Sequence, residues 1–150
     1  IDTGETERVK SWIDEATAAG ATVATGGDLT GDGVLAPTVL TGVSDDMKVC
    51  ALEVFGPVVA IASYTDYDDA LARANDSRYG LQAAVFTRDL GKALKAADTL
   101  DFGGVLINEV PTWRADHMPY GGLRDSGNTR EGPPYAVREM TEQRLIVMQP

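Results

Sequence analysis

"PVVAIASY", residues 57–64, opens the stretch that decides the fold, because this apolar segment gives way at once to a helical pattern over residues 65–77. The same succession then repeats. A second apolar segment covers 80–87, a second helical one covers 88–100, and a third apolar one covers 103–108. Nearly unbroken apolar strands are typical of strands buried on both faces of a sheet. The alternation predicts an α/β fold, with a mostly parallel sheet flanked by helices and right-handed crossovers.

Two helices can be predicted in some detail. In the first twenty residues, apolar side chains three and four positions apart form one stripe, consisting of Val9, Trp12, Ile13 and Ala16. Asp2 and Glu5 have the spacing of a capping box, and Gly20 provides a stop. The helix of residues 65–77 begins at a cap, either Thr65 or Asp66. Its predicted inner face consists of Ala70, Leu71 and Ala74.

A short motif upstream of the alternating stretch has two possible interpretations. Two strands, predicted over 21–27 and 34–43, precede "EVFGPVV" at residues 53–59. This motif places the carboxylate of Glu53 and the ring of Phe55 just before a Gly-Pro turn. The pair is either the solvent-facing edge of a strand or a ligand site at the mouth of the sheet.

A long segment without regular periodicity follows the third strand, from Asn108 to about Pro134. It is rich in Gly and Pro and carries Trp113, Arg114, His117 and Tyr120. A loop of this length is usually functional or disordered, and its aromatic content argues against disorder. Because ligands gather beyond the carboxyl ends of parallel strands, we expect Asn108 and this loop to contact a ligand. A short helix over 134–142 and a final strand over 143–149 are predicted to complete the chain.

Composition excludes several classes of function. The formal net charge of -10 repels phosphate backbones and anionic lipids, which argues against nucleic-acid and peripheral membrane binding. No apolar run approaches the roughly 20 residues needed to span a bilayer. A single cysteine forms no intrachain disulfide and favours a reducing, cytoplasmic location. The length of 150 residues suits one domain or a large part of one.

Cys50 and His117 suggest a thiol enzyme as one hypothesis, since a reactive thiolate needs a base or a positive environment. Cys50 lies among apolar neighbours at residues 47–54, where cysteine usually packs as a small hydrophobic side chain. We therefore expect it to be buried. One Cys and one His are too few for a zinc centre, and the acids of residues 66–69 lack the pattern of a calcium loop.

Four motifs in order resemble the C-terminal part of the aldehyde dehydrogenase superfamily. They are "LEVFGPVVAI" (52–61), "ANDSRYGLQAAVFTRDL" (74–90), "GGVLIN" (103–108) and "MPYGGLRDSGNTREG" (118–132). The resemblance implies oxidation of an aldehyde to a carboxylic acid with NAD or NADP, through a cysteine thiohemiacetal and thioester. The family's Gly-Gln-x-Cys nucleophile motif, its general-base glutamate and its Rossmann segment precede this region. No catalytic residue is therefore assigned here, and Cys50 is not expected to be the nucleophile.

The resemblance also implies roles for individual residues. Glu53 resembles the glutamate that binds the nicotinamide ribose hydroxyls, and Phe55 the aromatic residue that packs on the nicotinamide end. The loop from Asn108 to Tyr120 resembles the wall of the aldehyde tunnel. Its candidate substrate contacts are Asn108, Trp113, Arg114, His117 and Tyr120. The loop is most similar to that of members acting on small polar aldehydes such as lactaldehyde. Arg114 pairs either with a carboxylate or phosphonate of the substrate or with a surface acid.

The resemblance divides the chain into part of a catalytic domain, residues 1–140, and an oligomerisation strand, residues 141–150. That strand implies a homo-oligomer, a dimer or tetramer, and the part alone is expected to be inactive. The alternative is a non-enzymatic α/β interaction or assembly module. Two positions depart from the family pattern, Leu52 in place of an acid and Thr129 in place of a glycine. If position 129 requires positive φ, a threonine there is expected to be strained.

Overall fold

The computed structural model describes residues 3–150, which form two compact units, one ending at Thr65 and the other spanning Asp66–Pro150. The fold is mixed α/β, as predicted. Asp2, half of the predicted capping box, lies outside the described residues. None of the described helices combines the length and apolar character that a membrane span requires.

The first unit consists of two helices and a three-stranded sheet. Its elements are α1 (Thr3–Ala18), β1 (Thr22–Thr25), β2 (Thr38–Thr41), α2 (Lys48–Ala51) and β3 (Val58–Ile61). The strand order is β1-β2-β3. The β1 and β2 strands are antiparallel, whereas β2 and β3 are parallel with Thr38 opposite Val58.

Helix α1 packs as its periodicity predicts. Val9, Ile13 and Ala16 are buried in one cluster with Leu40, and Trp12 packs against that cluster. The helix ends at Ala18, and Gly20 in the turn that follows has φ +107° and donates its N–H to the Thr17 carbonyl at 3.1 Å. Only glycine adopts such a conformation without steric cost, so the predicted stop is confirmed.

The expectation that residues 57–64 are buried on both faces is wrong for the described chain. In β3, Val58 and Ala60 are half-buried, whereas Val59 and Ile61 are 57% and 51% exposed. Exposure alternates along β3 because no described segment covers the second face of the strand. The apolar run is therefore an uncovered sheet face rather than a central strand.

The second unit contains a βαβ crossover. Its elements are α3 (Tyr67–Asn75), β4 (Tyr79–Gly80), β5 (Gln82–Val85), α4 (Leu90–Thr99), β6 (Gly104–Ile107), β7 (Leu123–Arg124) and α5 (Pro133–Glu139). Strands β5 and β6 are parallel and connected through α4, as the alternation predicts. Strand β4 pairs with β7 in antiparallel orientation.

A carboxylate caps helix α3 of the second unit. Asp66 accepts the backbone N–H of Asp69 at 2.9 Å, which confirms one of the two predicted caps of α3. A cap of this kind contributes about 1 kcal/mol. On the predicted inner face, Leu71 is buried and Ala70 half-buried, but Ala74 is exposed. Leu71 packs with Ala96 of α4 in the core of the second unit.

Arg124 holds the helix ends of this unit together. Its Nη1 donates to the carbonyls of Asn75 and Ser77 at 2.7 and 2.6 Å, and its Nη2 donates to that of Asp101 at 2.6 Å. Arg124 has φ +56°, an uncommon conformation for a residue with a side chain. Three charge-assisted hydrogen bonds offset the cost of that backbone conformation.

Backbone segments approach each other closely where the Gly-Gly motifs meet. A Cβ atom at Gly103 would overlap the Gly121 carbonyl oxygen, and one at Gly121 would overlap the carbonyl oxygen of Thr129. Thr129 does not have positive φ, so the condition under which strain was expected there is not met. The glycine with positive φ in this segment is Gly127, at +111°.

The C-terminal residues 141–150 are exposed and carry no assigned strand or helix. Leu145, Ile146, Val147 and Met148 therefore present apolar side chains to solvent. The strand predicted over 143–149 has no partner strand within the described residues. Its role as an oligomerisation strand requires a second subunit and stays a prediction, as does the division at residue 140.

Candidate functional site

The "EVFGP" segment connects α2 to β3 and is anchored by α1. Arg8 donates from Nη2 to the Val54 carbonyl at 2.9 Å, pairs with Glu5 at 2.7 Å and lies 4.4 Å from the Trp12 ring centroid. Because Val54 lies between Glu53 and Phe55, this anchor holds the backbone of both predicted cofactor residues.

Phe55 adopts a backbone conformation that is uncommon for an aromatic residue. Its φ is +50°, and its side chain remains 63% exposed. Left-handed backbone at a non-glycine residue costs about 1–3 kcal/mol and is concentrated at ligand sites and switches. The next residue, Gly56, lies so close to α1 that a Cβ there would be 3.2 Å from Val9 Cγ1. The turn thus packs against the helix and leaves the ring outside.

A cleft of about 470 Å³ lies beside this turn. It is lined by α1, the 33–35 segment and the turn itself, including Thr6, Val9, Val34, Leu35, Phe55 and Pro57. Glu53 is exposed and is not part of the lining. Within residues 3–150 its carboxylate makes no hydrogen bond or ion pair, so its oxygens are available to donors of a ligand. Phe55 therefore lines the cleft, whereas Glu53 lies outside its lining.

Cys50 is exposed, so its predicted burial is wrong. The reason is the shortness of α2, a helix of four residues in which Val49 is the buried one. Successive helical residues point about 100° apart, so the residue after Val49 is turned away from the core.

A second cleft, of about 450 Å³, lies beside β6. Trp113 of the 108–120 segment forms part of its lining, together with Gly104, Leu106, Glu109 and Met118. Hydrogen bonds within the segment shape this wall. The Trp113 N–H donates to the Val110 carbonyl at 3.0 Å, and the Met118 N–H donates to that of Ala115 at 3.0 Å.

Arg114 pairs with a surface acid in this structure, which is one of the two alternatives considered for it. Its Nη1 lies 3.0 Å from Glu131 Oε2, and its guanidinium lies 4.6 Å from the Tyr120 ring centroid. The backbones of Tyr120 and Glu131 form an isolated β-bridge, which holds the ring and the acid side by side. The structure therefore brings together Arg114 and Tyr120, two of the five predicted substrate contacts.

Asn108 and His117 have different environments. Asn108, with φ +58°, bonds the backbone of Thr87 twice: its Oδ1 accepts the Thr87 N–H at 2.8 Å and its Nδ2 donates to the Thr87 carbonyl at 2.9 Å. These bonds tie the ends of β5 and β6 together, which is a structural task. His117 is exposed on the loop.

Two polar residues near these sites were not predicted. Glu131 is 17 positions from Arg114, so no local sequence pattern predicts that the two residues pair. Gln82 donates from Nε2 to the Trp113 carbonyl at 3.4 Å, and the signal available in the sequence was a polar residue within an apolar strand. Within residues 3–150, no group of three or more Asp, Glu, His or Cys side chains is arranged to hold a metal ion.

The structure defines the class as a mixed α/β protein with clefts beside β3 and β6, an architecture in which many α/β proteins bind ligands. The family model "Aldehyde dehydrogenase family" matches residues 1–146. The chain belongs to the aldehyde dehydrogenase family.

Individual relatives show how much of such a protein is present. A 3-sulfolactaldehyde dehydrogenase of Priestia aryabhattai is 54% identical over 96% of this chain and 30% of the relative. Aldehyde dehydrogenase 21 of Physcomitrella patens, solved with the reaction product succinate, superposes with a TM-score of 0.93 at 39% identity, over 99% of this chain and 31% of that one. Betaine aldehyde dehydrogenase of Staphylococcus aureus, solved with NAD+, superposes with a TM-score of 0.85 at 37% identity, over 93% of this chain and 29% of that one. The chain thus spans about 30% of the relatives' length.

Proposed function

We propose that this chain is part of the catalytic domain of an NAD(P)-dependent aldehyde dehydrogenase, which oxidises a small polar aldehyde to a carboxylic acid. The observation that carries the proposal is the family match over residues 1–146. The nucleophilic cysteine is assigned to the remainder of the polypeptide, because Cys50 lacks the Gly-Gln-x-Cys context. The role of this chain is to bind and orient cofactor and substrate.

Glu53 and Phe55 fit a nicotinamide dinucleotide. The exposed carboxylate of Glu53 can accept hydrogen bonds from both vicinal hydroxyls of a ribose, and charge-assisted bonds of this kind are strong. The exposed ring of Phe55, on the cleft wall, offers an apolar face to a planar ring. When bound, the nicotinamide supplies the hydride acceptor for the oxidation. The strained turn at Phe55 supports this assignment, because it holds the ring out from the protein.

For the substrate we propose a small polar aldehyde that carries an anionic group, with Arg114 as the anion contact. The Priestia relative is named for a sulfonated aldehyde, and the Physcomitrella structure holds a dicarboxylate product. The ion pair of Arg114 with Glu131 leaves the two side chains 44% and 59% exposed. Exposed pairs contribute only about 0–1 kcal/mol, so Arg114 can turn to a substrate anion at little cost. Asn108, Trp113, His117 and Tyr120 complete the proposed wall.

Comparison of charged and neutral aldehydes with the full-length protein tests this function. Reduced nicotinamide is measured with sulfolactaldehyde, succinic semialdehyde and uncharged lactaldehyde. Arg114→Met should raise KM for the two anionic aldehydes about tenfold or more, the equivalent of one charge-assisted hydrogen bond, and leave lactaldehyde nearly unaffected. Arg88→Met, at an exposed arginine outside the wall, is the matched control. Equal effects of Arg114→Met on all three aldehydes would exclude the anion contact, and no reduction of NAD or NADP with any aldehyde would exclude the function.

Assembly through residues 141–150 is proposed as the second part of the function. The exposed Leu145, Ile146 and Val147 support it, because β-branched and apolar residues in an unpaired segment are suited to strand addition. The predicted partner is a second copy of the chain. The cytoplasmic location is likewise proposed, from the single cysteine.

A further inference from the structure

Gln82 lies opposite a glycine of the neighbouring strand, which leaves room for its side chain. In the parallel register of β5 and β6, Gln82 lies opposite Gly104. A Cβ atom at Gly104 would lie 3.2 Å from Gln82 Cγ and 3.3 Å from its Nε2, and the third-nearest atom is also from Gln82. Because Gly104 lacks a side chain, the glutamine amide can lie across the neighbouring strand.

The Nε2 atom of Gln82 has a hydrogen-bond partner, whereas its Oε1 atom is buried and has none among the described residues. Its Nε2 donates to the Trp113 carbonyl at 3.4 Å, which is long for a hydrogen bond. Since a carbonyl oxygen only accepts, this contact requires the nitrogen to point towards Trp113. The Oε1 atom is then buried without a hydrogen-bond partner among the described residues. A buried acceptor in this state is destabilising, and an apolar side chain of the same length would avoid the cost.

We propose that Gln82 is a positioning residue for the wall loop, defined as residues 108–120. Its bond to the Trp113 carbonyl ties the loop to β5 and sets where the Trp113 side chain stands beside the 450 Å³ cleft. The inference rests on the proposed function, because only there is the wall loop a substrate contact. The residue acts through Trp113 and performs no chemical step.

Gln82→Met in the full-length enzyme tests the proposal, because methionine keeps the length and removes both hydrogen-bonding atoms. Hydrogen–deuterium exchange should become faster in peptides covering 110–118. KM for the aldehyde should rise about two- to tenfold, the range for one neutral hydrogen bond, while kcat changes less than twofold. The thermal midpoint should stay the same or rise, since the orphan acceptor is gone.

Gly104→Ala perturbs the same contact from the other strand. The added methyl group displaces the Gln82 amide, so exchange over 110–118 should again increase. In a Gln82→Ala background the amide that the methyl group displaces is absent. Gly104→Ala should therefore cause little further increase in exchange over 110–118. Contacting residues are expected to show such non-additivity. Gly31→Ala, where a Cβ meets nothing within 4 Å, is the control for a neutral glycine replacement.

Two results would overturn the positioning role. One is unchanged exchange over 110–118 and unchanged KM in Gln82→Met. The other is a lower thermal midpoint with faster exchange spread over the whole unit, which would make Gln82 a packing residue. Failure of the proposed function has a different signature, namely no aldehyde oxidation by the unmodified enzyme. The exchange measurement still decides the positioning role in that case.

Discussion

Phe55 offers a test that separates backbone strain from ligand binding. At φ +50° an alanine has about 1–2 kcal/mol of steric strain that glycine lacks. Glycine loses about 0.4–1 kcal/mol more on folding, because its unfolded chain has more freedom. At the midpoints of these two ranges, the difference leaves Phe55→Gly more stable than Phe55→Ala by about 0.8 kcal/mol. Since the ring is 63% exposed, both variants lose little buried area.

Urea unfolding of the full-length protein measures this order through the transition midpoints. Leu94, an exposed residue inside α4, provides the matched control. In a helix, glycine is about 1 kcal/mol less favourable than alanine, so Leu94→Gly should unfold before Leu94→Ala. The order at position 55 should be the reverse.

Cofactor affinity should fall in both Phe55 variants. Loss of an aromatic contact of about 1 kcal/mol corresponds to a roughly fivefold increase in Kd for NAD or NADP. If Phe55→Gly is less stable than Phe55→Ala, the left-handed turn is not a source of strain. If both variants bind the cofactor as tightly as the unmodified protein does, the Phe55 ring does not contact the cofactor.

Two further predictions concern the glycine contacts and the C-terminal segment. Gly103→Ala should lower the free energy of unfolding by about 3 kcal/mol, because the methyl group overlaps the Gly121 carbonyl and a backbone must move; a loss no larger than that of Gly31→Ala in thermal unfolding would contradict the close approach. Deletion of residues 141–150 from the full-length protein should reduce its mass by light scattering from that of an oligomer to that of a smaller species. An unchanged mass would remove this segment from the interface.

Much of the fold was predictable because its determinants are local. The stripe through Val9, Ile13 and Ala16 depends only on the helical repeat, and the cap at Asp66 depends only on a carboxylate preceding that repeat. The parallel pairing of β5 and β6 follows from the α4 crossover between them. Each signal lies within a few residues of the structure that it specifies.

The geometry of the candidate sites depends on contacts that cannot be predicted from local sequence patterns. Cys50 is exposed because of where the single turn of α2 places it, and apolar neighbours in sequence do not determine that direction. The pairing of Arg114 with Glu131 depends on how the intervening loop closes. The positive φ of Phe55 is set by the packing of the turn against α1. The motif therefore located the candidate cofactor residues but not their geometry.

The most direct test of the cofactor assignment is titration of NAD and NADP into full-length Glu53→Gln by calorimetry. Loss of the carboxylate removes charge-assisted hydrogen bonds, so Kd for the preferred dinucleotide should rise about tenfold or more. Glu7→Gln, at an exposed acid of α1, should bind like the unmodified protein. Unchanged binding in Glu53→Gln, together with an unchanged rate of hydride transfer, would contradict the assignment of "EVFGP" to the cofactor.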